Sequence, residues 1–174
     1  MAELLRGNKN RGVEERGAKN DWNTTKYIWT KLLPYIPKDK QVWCPFYNKN
    51  APMCEKYLTD LGINVIHKDE DFWENNHGDC VIDNPPYKIS GIIKLKEKIM
   101  IRLMELNKPF MLLFPASTIQ TTFFLRLYEK GGFQLIVPSE KYDFERYEGE
   151  KTRSMFYTIW VCWNMNLPKD FIVI

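Results

Sequence analysis

The chain has 174 residues, 44% of them hydrophobic and 14% aromatic, enough for one domain with a real core and too apolar for a disordered polymer. A formal charge of +3 permits a nucleic-acid partner without demanding one. No apolar run is long enough to span a bilayer, and Cys44, Cys54, Cys80, Cys162, His67 and His77 follow no metal-ligand spacing.

Residues 1–20 mix glycines with charges and carry no aromatic ring; they are expected to form a flexible arm ahead of a single domain over 21–174. Asn23 or Thr24 is expected to cap a helix whose apolar face is Tyr27, Ile28, Leu32 and Leu33, ending before Pro34. Gln41–Phe46 reads as a strand. Residues 51–61 read as a helix with Met53, Tyr57, Leu58 and Leu61 inward and Gly62 as its stop, and Ile63–Ile66 as a second strand. Together they predict a right-handed strand–helix–strand unit. Residues 67–78 leave little room for another helix and strand, so the sheet is expected to be trimmed at one edge.

Cys80–Ile82 reads as a short buried strand, stopped by Pro85 and Pro86. Ile92–Leu106 predicts an amphipathic helix with Lys94, Lys96, Lys98 and Arg102 as a solvated row. Pro109–Pro115 is the next strand, Thr122–Tyr128 a helix stopping at Gly131 and Gly132, Phe133–Val137 a strand, and Ser154–Trp163 a long final one. The alternation predicts an α/β fold. Between the last two strands, residues 138–153 interleave Lys141, Arg146, Lys151 and Arg153 with Tyr142, Phe144 and Tyr147. Rings among cations suit stacking on bases beside phosphates; an exposed hairpin loop with ordinary charges is the plainer reading. Cys44, Cys80 and Cys162 fall in apolar runs and are expected to be buried thiols, which suits a reducing cytoplasm or nucleus.

The stretch with most chemistry is Asn84-Pro85-Pro86-Tyr87. In open α/β sheets, ligands bind beyond the carboxyl ends of strands, where this segment would lie. The Asn84 side-chain oxygen and the Pro85 carbonyl can accept the two hydrogens of an amino group, while the Tyr87 ring stacks on a flat base. Read plainly, it is a proline turn after a strand. The tetrad resembles the Asn-Pro-Pro-Tyr catalytic motif of amino-group methyltransferases that use S-adenosylmethionine, above all the small phage- or virus-type adenine N6 methyltransferases.

That resemblance implies a three-layer Rossmann-like methyltransferase fold, with a mainly parallel sheet and one antiparallel strand near its end. It implies Asn84, Pro85, Pro86 and Tyr87 as catalytic residues and S-adenosylmethionine as cofactor. Trp22 and Thr24 match a Trp-x-Thr-Pro-like stretch that lies against the cofactor's methionine part, with Thr25 where proline is usual. Cys44, Pro45 and Phe46 stand where the family has a glycine-rich turn; they look like a Trp-Cys-Pro-Phe variant in which Pro45 and Phe46 frame the cofactor. Asp71 and Phe72 fit the pair that holds the cofactor's adenine by amino group and face, Asp69 is the candidate for the ribose hydroxyls, and Asn84 also faces the cofactor. The implied substrate contacts are Tyr87, Lys88, Lys141, Phe144, Arg146, Lys151 and Arg153, with Phe144 as the base-contacting ring. The target base must be flipped out or arrive unpaired.

The implied activity is methyl transfer to the N6 amino group of adenine in DNA or RNA, with DNA favoured. Two alternatives stay open. One is a catalytically silent relative that binds nucleic acid or a partner, which the glycine-free turn favours. The other is a protein glutamine methyltransferase, which uses a similar tetrad. The length leaves no room for a target-recognition domain, so the enzyme is expected to be sequence-tolerant, to act on a small or structured target, or to borrow recognition from a partner subunit or a second copy, and no membrane is expected.

Overall fold

Helices and strands alternate along this computed structural model, which describes residues 23–46, 53–87, 94–145 and 151–174. The strands are β1 (Asn23–Thr24), β2 (Val42–Trp43), β3 (Val65–Ile66), β4 (Cys80–Asp83), β5 (Phe110–Pro115), β6 (Gln134–Val137), β7 (Asp143–Glu145), β8 (Lys151–Arg153), β9 (Thr158–Trp163) and β10 (Phe171–Val173). The helices are α1 (Lys26–Leu32), α2 (Met53–Asp60), α3 (Leu95–Glu105) and α4 (Thr122–Gly131). The chain divides into two compact units, Met1–Asp79 with Asp143–Arg153, and Cys80–Tyr142 with Ser154–Ile174. The expected arm over 1–20 lies outside the described residues.

In the first unit, β2 and β3 pair in parallel, Val42 opposite Val65 and Trp43 opposite Ile66. The ladder continues through Val42 N–H to Asn64 O and Cys44 N–H to Ile66 O, both 2.8 Å. Helix α2 ends as expected at Gly62, whose φ of 79° lies in the left-handed region. There Gly62 donates to Thr59 O at 2.9 Å and Ile63 to Leu58 O at 3.0 Å, closing two carbonyls the helix leaves open. Residues 67–79 hold turns only, in line with the short link.

The start of this unit differs from expectation. Helix α1 begins at Lys26 with Thr25 as its extended N-cap residue. Asn23 and Thr24 instead form β1, antiparallel to β7. The Asn23 side-chain oxygen accepts from the Met53 backbone N–H at 3.2 Å, so it serves the first turn of α2 rather than the helix next in sequence. Trp29 joins Ile28 and Leu32 on the buried face of α1, and Tyr27 is exposed. The segment read as a loop between the last two strands contains the paired strands β7 and β8, with Asp143 opposite Arg153 and Glu145 opposite Lys151. Opposite charges facing across two strands stabilise such a pair.

In the second unit the strands run in the order β10–β6–β9–β5–β4. Strands β4 and β5 are parallel, as are β6 and β10, and β9 runs against both β5 and β6. The pairing is thus α/β, parallel apart from one reversed strand. Phe110 to Phe114 are fully buried along β5, which a strand covered on both faces requires. Helix α3 is not simply solvated on its polar side. Glu97 is buried and pairs with Arg126 of α4, with Lys94 at 3.9 Å. Two further differences concern the end of the chain. Strand β9 starts at Thr158, leaving Ser154–Tyr157 as a turn, and β10 is an element that the apolar runs did not disclose.

Candidate functional site

Strand β4 is buried at all four positions and delivers the tetrad at its carboxyl end. The two prolines prevent further ladder pairing, so the chain leaves the sheet with little conformational freedom. The Asn84 N–H donates to the Asp83 carboxylate at 2.7 Å. The Tyr87 hydroxyl donates to the Asn84 side-chain oxygen at 3.1 Å, which orients the amide. Burial raises the Tyr87 pKa, so the hydroxyl remains a donor at any working pH. A carbonyl oxygen has two lone pairs, so Asn84 Oδ1 keeps capacity for a second donor such as an amino N–H. The Tyr87 ring lies 5.8 Å from that of Phe156, tilted by 60°.

The first unit collects aromatic rings around one carboxylate. Phe72 lies 5.9 Å from Trp43, 5.1 Å from Phe46 and 4.9 Å from Trp73. His77 meets Trp43 edge-on at 5.6 Å and its Nε2 is 2.6 Å from Glu70. His67 Nδ1 lies 2.8 Å from the Cys44 carbonyl, tying the end of β2 to the loop after β3. Gly78, with φ of 60°, is required here: a Cβ would stand 2.7 Å from the Gln41 carbonyl, which accepts from Asp79 N–H at 2.8 Å.

Asp71 is 1% exposed. Its Oδ1 accepts from Trp73 N–H at 2.8 Å, and among the described residues its Oδ2 has no hydrogen-bond partner. A buried carboxylate oxygen without a donor is costly, and a ligand amino group is one way to satisfy it. Phe46 is partly exposed and Phe72 fully buried.

No family model matches this chain, and no curated protein matches it significantly.

The other candidates are distributed as follows. Thr24 is buried in β1, Cys44 and Pro45 are buried after β2, and Asp69 is exposed. Phe144 is buried in β7 opposite Thr24 and Thr152. Lys151 and Arg153 are exposed on β8, and Lys141 lies 5.0 Å from the Tyr157 ring centroid in the second unit. Trp22, Lys88 and Arg146 lie outside the described residues. Sequence reasoning passed over Met155, Phe156 and Tyr157, which it placed inside the last strand. The one available signal was Ser154, a residue type that bonds its own backbone in turns.

Proposed function

We propose that this protein transfers a methyl group from S-adenosylmethionine to the N6 amino group of adenine in DNA, on a methyltransferase-type α/β fold. The observation that carries the reading is the Asn84–Tyr87 pair at the end of β4, where an amide oxygen is held by the Tyr87 hydroxyl and has a second lone pair with which to accept. An exocyclic amino nitrogen has its lone pair delocalised into the ring and is a poor nucleophile. Accepting its hydrogens at Asn84 Oδ1 and the Pro85 carbonyl favours a pyramidal nitrogen, and the Tyr87 ring sets the plane of the base. Positioning and electrostatic complementarity of this kind supply much of the rate in group transfers. When bound, S-adenosylmethionine would supply the methyl group: a C–N bond would form as the C–S bond breaks, S-adenosylhomocysteine would leave as the neutral thioether, and the amino group would lose one proton to water. Asp71, Phe46 and Pro45 are the residues proposed to hold the cofactor, with Oδ2 of Asp71 accepting from its adenine amino group.

The test is transfer of labelled methyl to adenine-containing single and double strands, with N6-methyladenine identified in the digest. Label recovered on glutamine instead would keep the chemistry and change the substrate. Two observations favour the second reading, a silent relative: the Phe72 ring is fully buried among Trp43, Phe46 and Trp73, and the turn after β2 opens with Pro45 and Phe46 rather than glycine. A calorimetric titration showing no heat of binding at millimolar S-adenosylmethionine would establish that reading.

A further inference from the structure

Met155, Phe156 and Tyr157 are three consecutive large apolar side chains exposed at 93%, 41% and 57%. They sit in the turn before β9, and the backbone there is tied down at both ends. Ser154 N–H donates to Tyr142 O at 2.9 Å, and Ala116 N–H donates to Tyr157 O at 2.8 Å. Inside the turn the Ser154 hydroxyl donates to Phe156 O at 2.6 Å and accepts from Phe156 N–H at 3.2 Å. The exposure is therefore built into an anchored turn. Lys141 completes the group: its Nζ lies 5.0 Å from the Tyr157 ring centroid and 3.5 Å from the Met155 carbonyl oxygen.

We propose that the Ser154–Tyr157 turn with Lys141 is a docking surface for an unpaired nucleic-acid strand, taking nucleotides beside the one that reaches Asn84. The chemistry selects this occupant. Exposed rings offer π-faces to bases, and a cation beside a ring is placed for the phosphate that joins two of them. Bases in a duplex have their faces covered by their neighbours, so a ring surface of this kind discriminates in favour of unpaired strands. Phe156 connects the turn to the tetrad through its contact with Tyr87. The role of Phe144 as the base-contacting ring thereby passes to exposed rings of the second unit. Only the mention of Asn84 rests on the methyltransferase reading; the docking surface stands without it.

The experiment is fluorescence anisotropy with labelled oligothymidylate of about twelve nucleotides, which contains no adenine, against a duplex of equal length. Wild type is expected to bind the single strand at least about tenfold more tightly than the duplex. Tyr157→Ala combined with Met155→Ala should weaken that binding about tenfold, the size expected for losing one stacked base, and Tyr157→Trp should preserve it. Lys141→Gln should reduce the salt slope by about one phosphate contact. All three positions are at the surface, and an unchanged circular dichroism spectrum and melting temperature establish that each variant folds. Equal affinity for strand and duplex, or no change in the double variant, overturns the proposal. So does a strand that fails to bind while an acidic aromatic peptide binds in a Tyr157-dependent way, which would make the turn a protein-docking surface. Binding retained without methyl transfer would sink the methyltransferase reading and leave the surface standing.

Discussion

Asn84 and Tyr87 show how much one hydrogen bond changes an expectation. Stacking needs only the ring of Tyr87, which makes Tyr87→Phe a mild change on paper. The hydroxyl, however, donates to the very oxygen proposed to receive the amino hydrogen. A neutral hydrogen bond of this kind contributes about 0.5–1.5 kcal/mol, so Tyr87→Phe is expected to lower kcat about three- to tenfold with little change in KM. Tyr87→Ala also loses stacking worth roughly 1–3 kcal/mol and should fall well below it, and Asn84→Ala should show no transfer. Steady-state kinetics of methyl transfer read all three; a Tyr87→Phe kcat equal to wild type would leave the hydroxyl without a role. Asp71→Asn should keep the acceptor that serves Trp73 N–H yet weaken S-adenosylmethionine binding, because an amide offers the adenine amino group a poorer partner than a carboxylate. Calorimetry on the two proteins checks this, and equal affinities would remove Asp71 from the cofactor site.

At the level of elements, α2 is held at its first turn and near its middle by distant parts of the chain. Asn23 of β1 serves its first turn and Tyr57 donates to Glu145 of β7. Burial first, and then the bond to Glu145, raise the Tyr57 pKa to about 12. The folded value lies above the unfolded one of about 10, so the protonated hydroxyl contributes its stability in full below pH ~10 and loses it as pH rises toward ~12. Urea midpoints measured across that window should fall for wild type by more than for Tyr57→Phe, which has no hydroxyl to ionise; parallel curves would refute the assignment. The turn glycines separate two costs. Gly62→Ala meets no neighbouring atom and should cost only the left-handed backbone, about 1 kcal/mol. Gly78→Ala adds the clash with the Gln41 carbonyl and should be clearly worse in the same denaturation experiment.

For the molecule as a whole, the cofactor proposal is a statement about stability. A ligand that binds only the folded state at about a hundred times its Kd adds about 2.7 kcal/mol, which for a chain of this size raises Tm by several degrees. S-adenosylmethionine is expected to produce that shift in wild type and a smaller one in Asp71→Asn at the same concentration. No shift at saturating cofactor would favour the silent reading. Among the described residues no helix is long and apolar enough to cross a membrane, as the short apolar runs implied.

Strand β4, strand β5 and the helix α2 with its Gly62 stop were legible in the sequence because each is a local pattern: an apolar run, a helical period, or a residue that tolerates positive φ. The tetrad was legible for the same reason, since consecutive prolines after a buried strand constrain the chain whatever surrounds it. The apolar run of β9 was legible too, but its reversed direction was implied only by the resemblance, since an apolar run carries no direction. Other features required the folded chain. Asn23 reads as the cap of the nearest helix, but it pairs with β7 and serves α2 thirty residues away, a choice made by strand pairing across a long separation. Lys151 and Arg153 read as loop cations, and only the hairpin register sets them opposite carboxylates. Phe144 and Phe156 are the same residue type in similar company, yet one is buried in a strand and the other stands exposed in a turn. Composition cannot separate them, because burial is decided by which strands pair and where the ladder stops. Here it stops at Thr158, and the side chains just before it are left facing water.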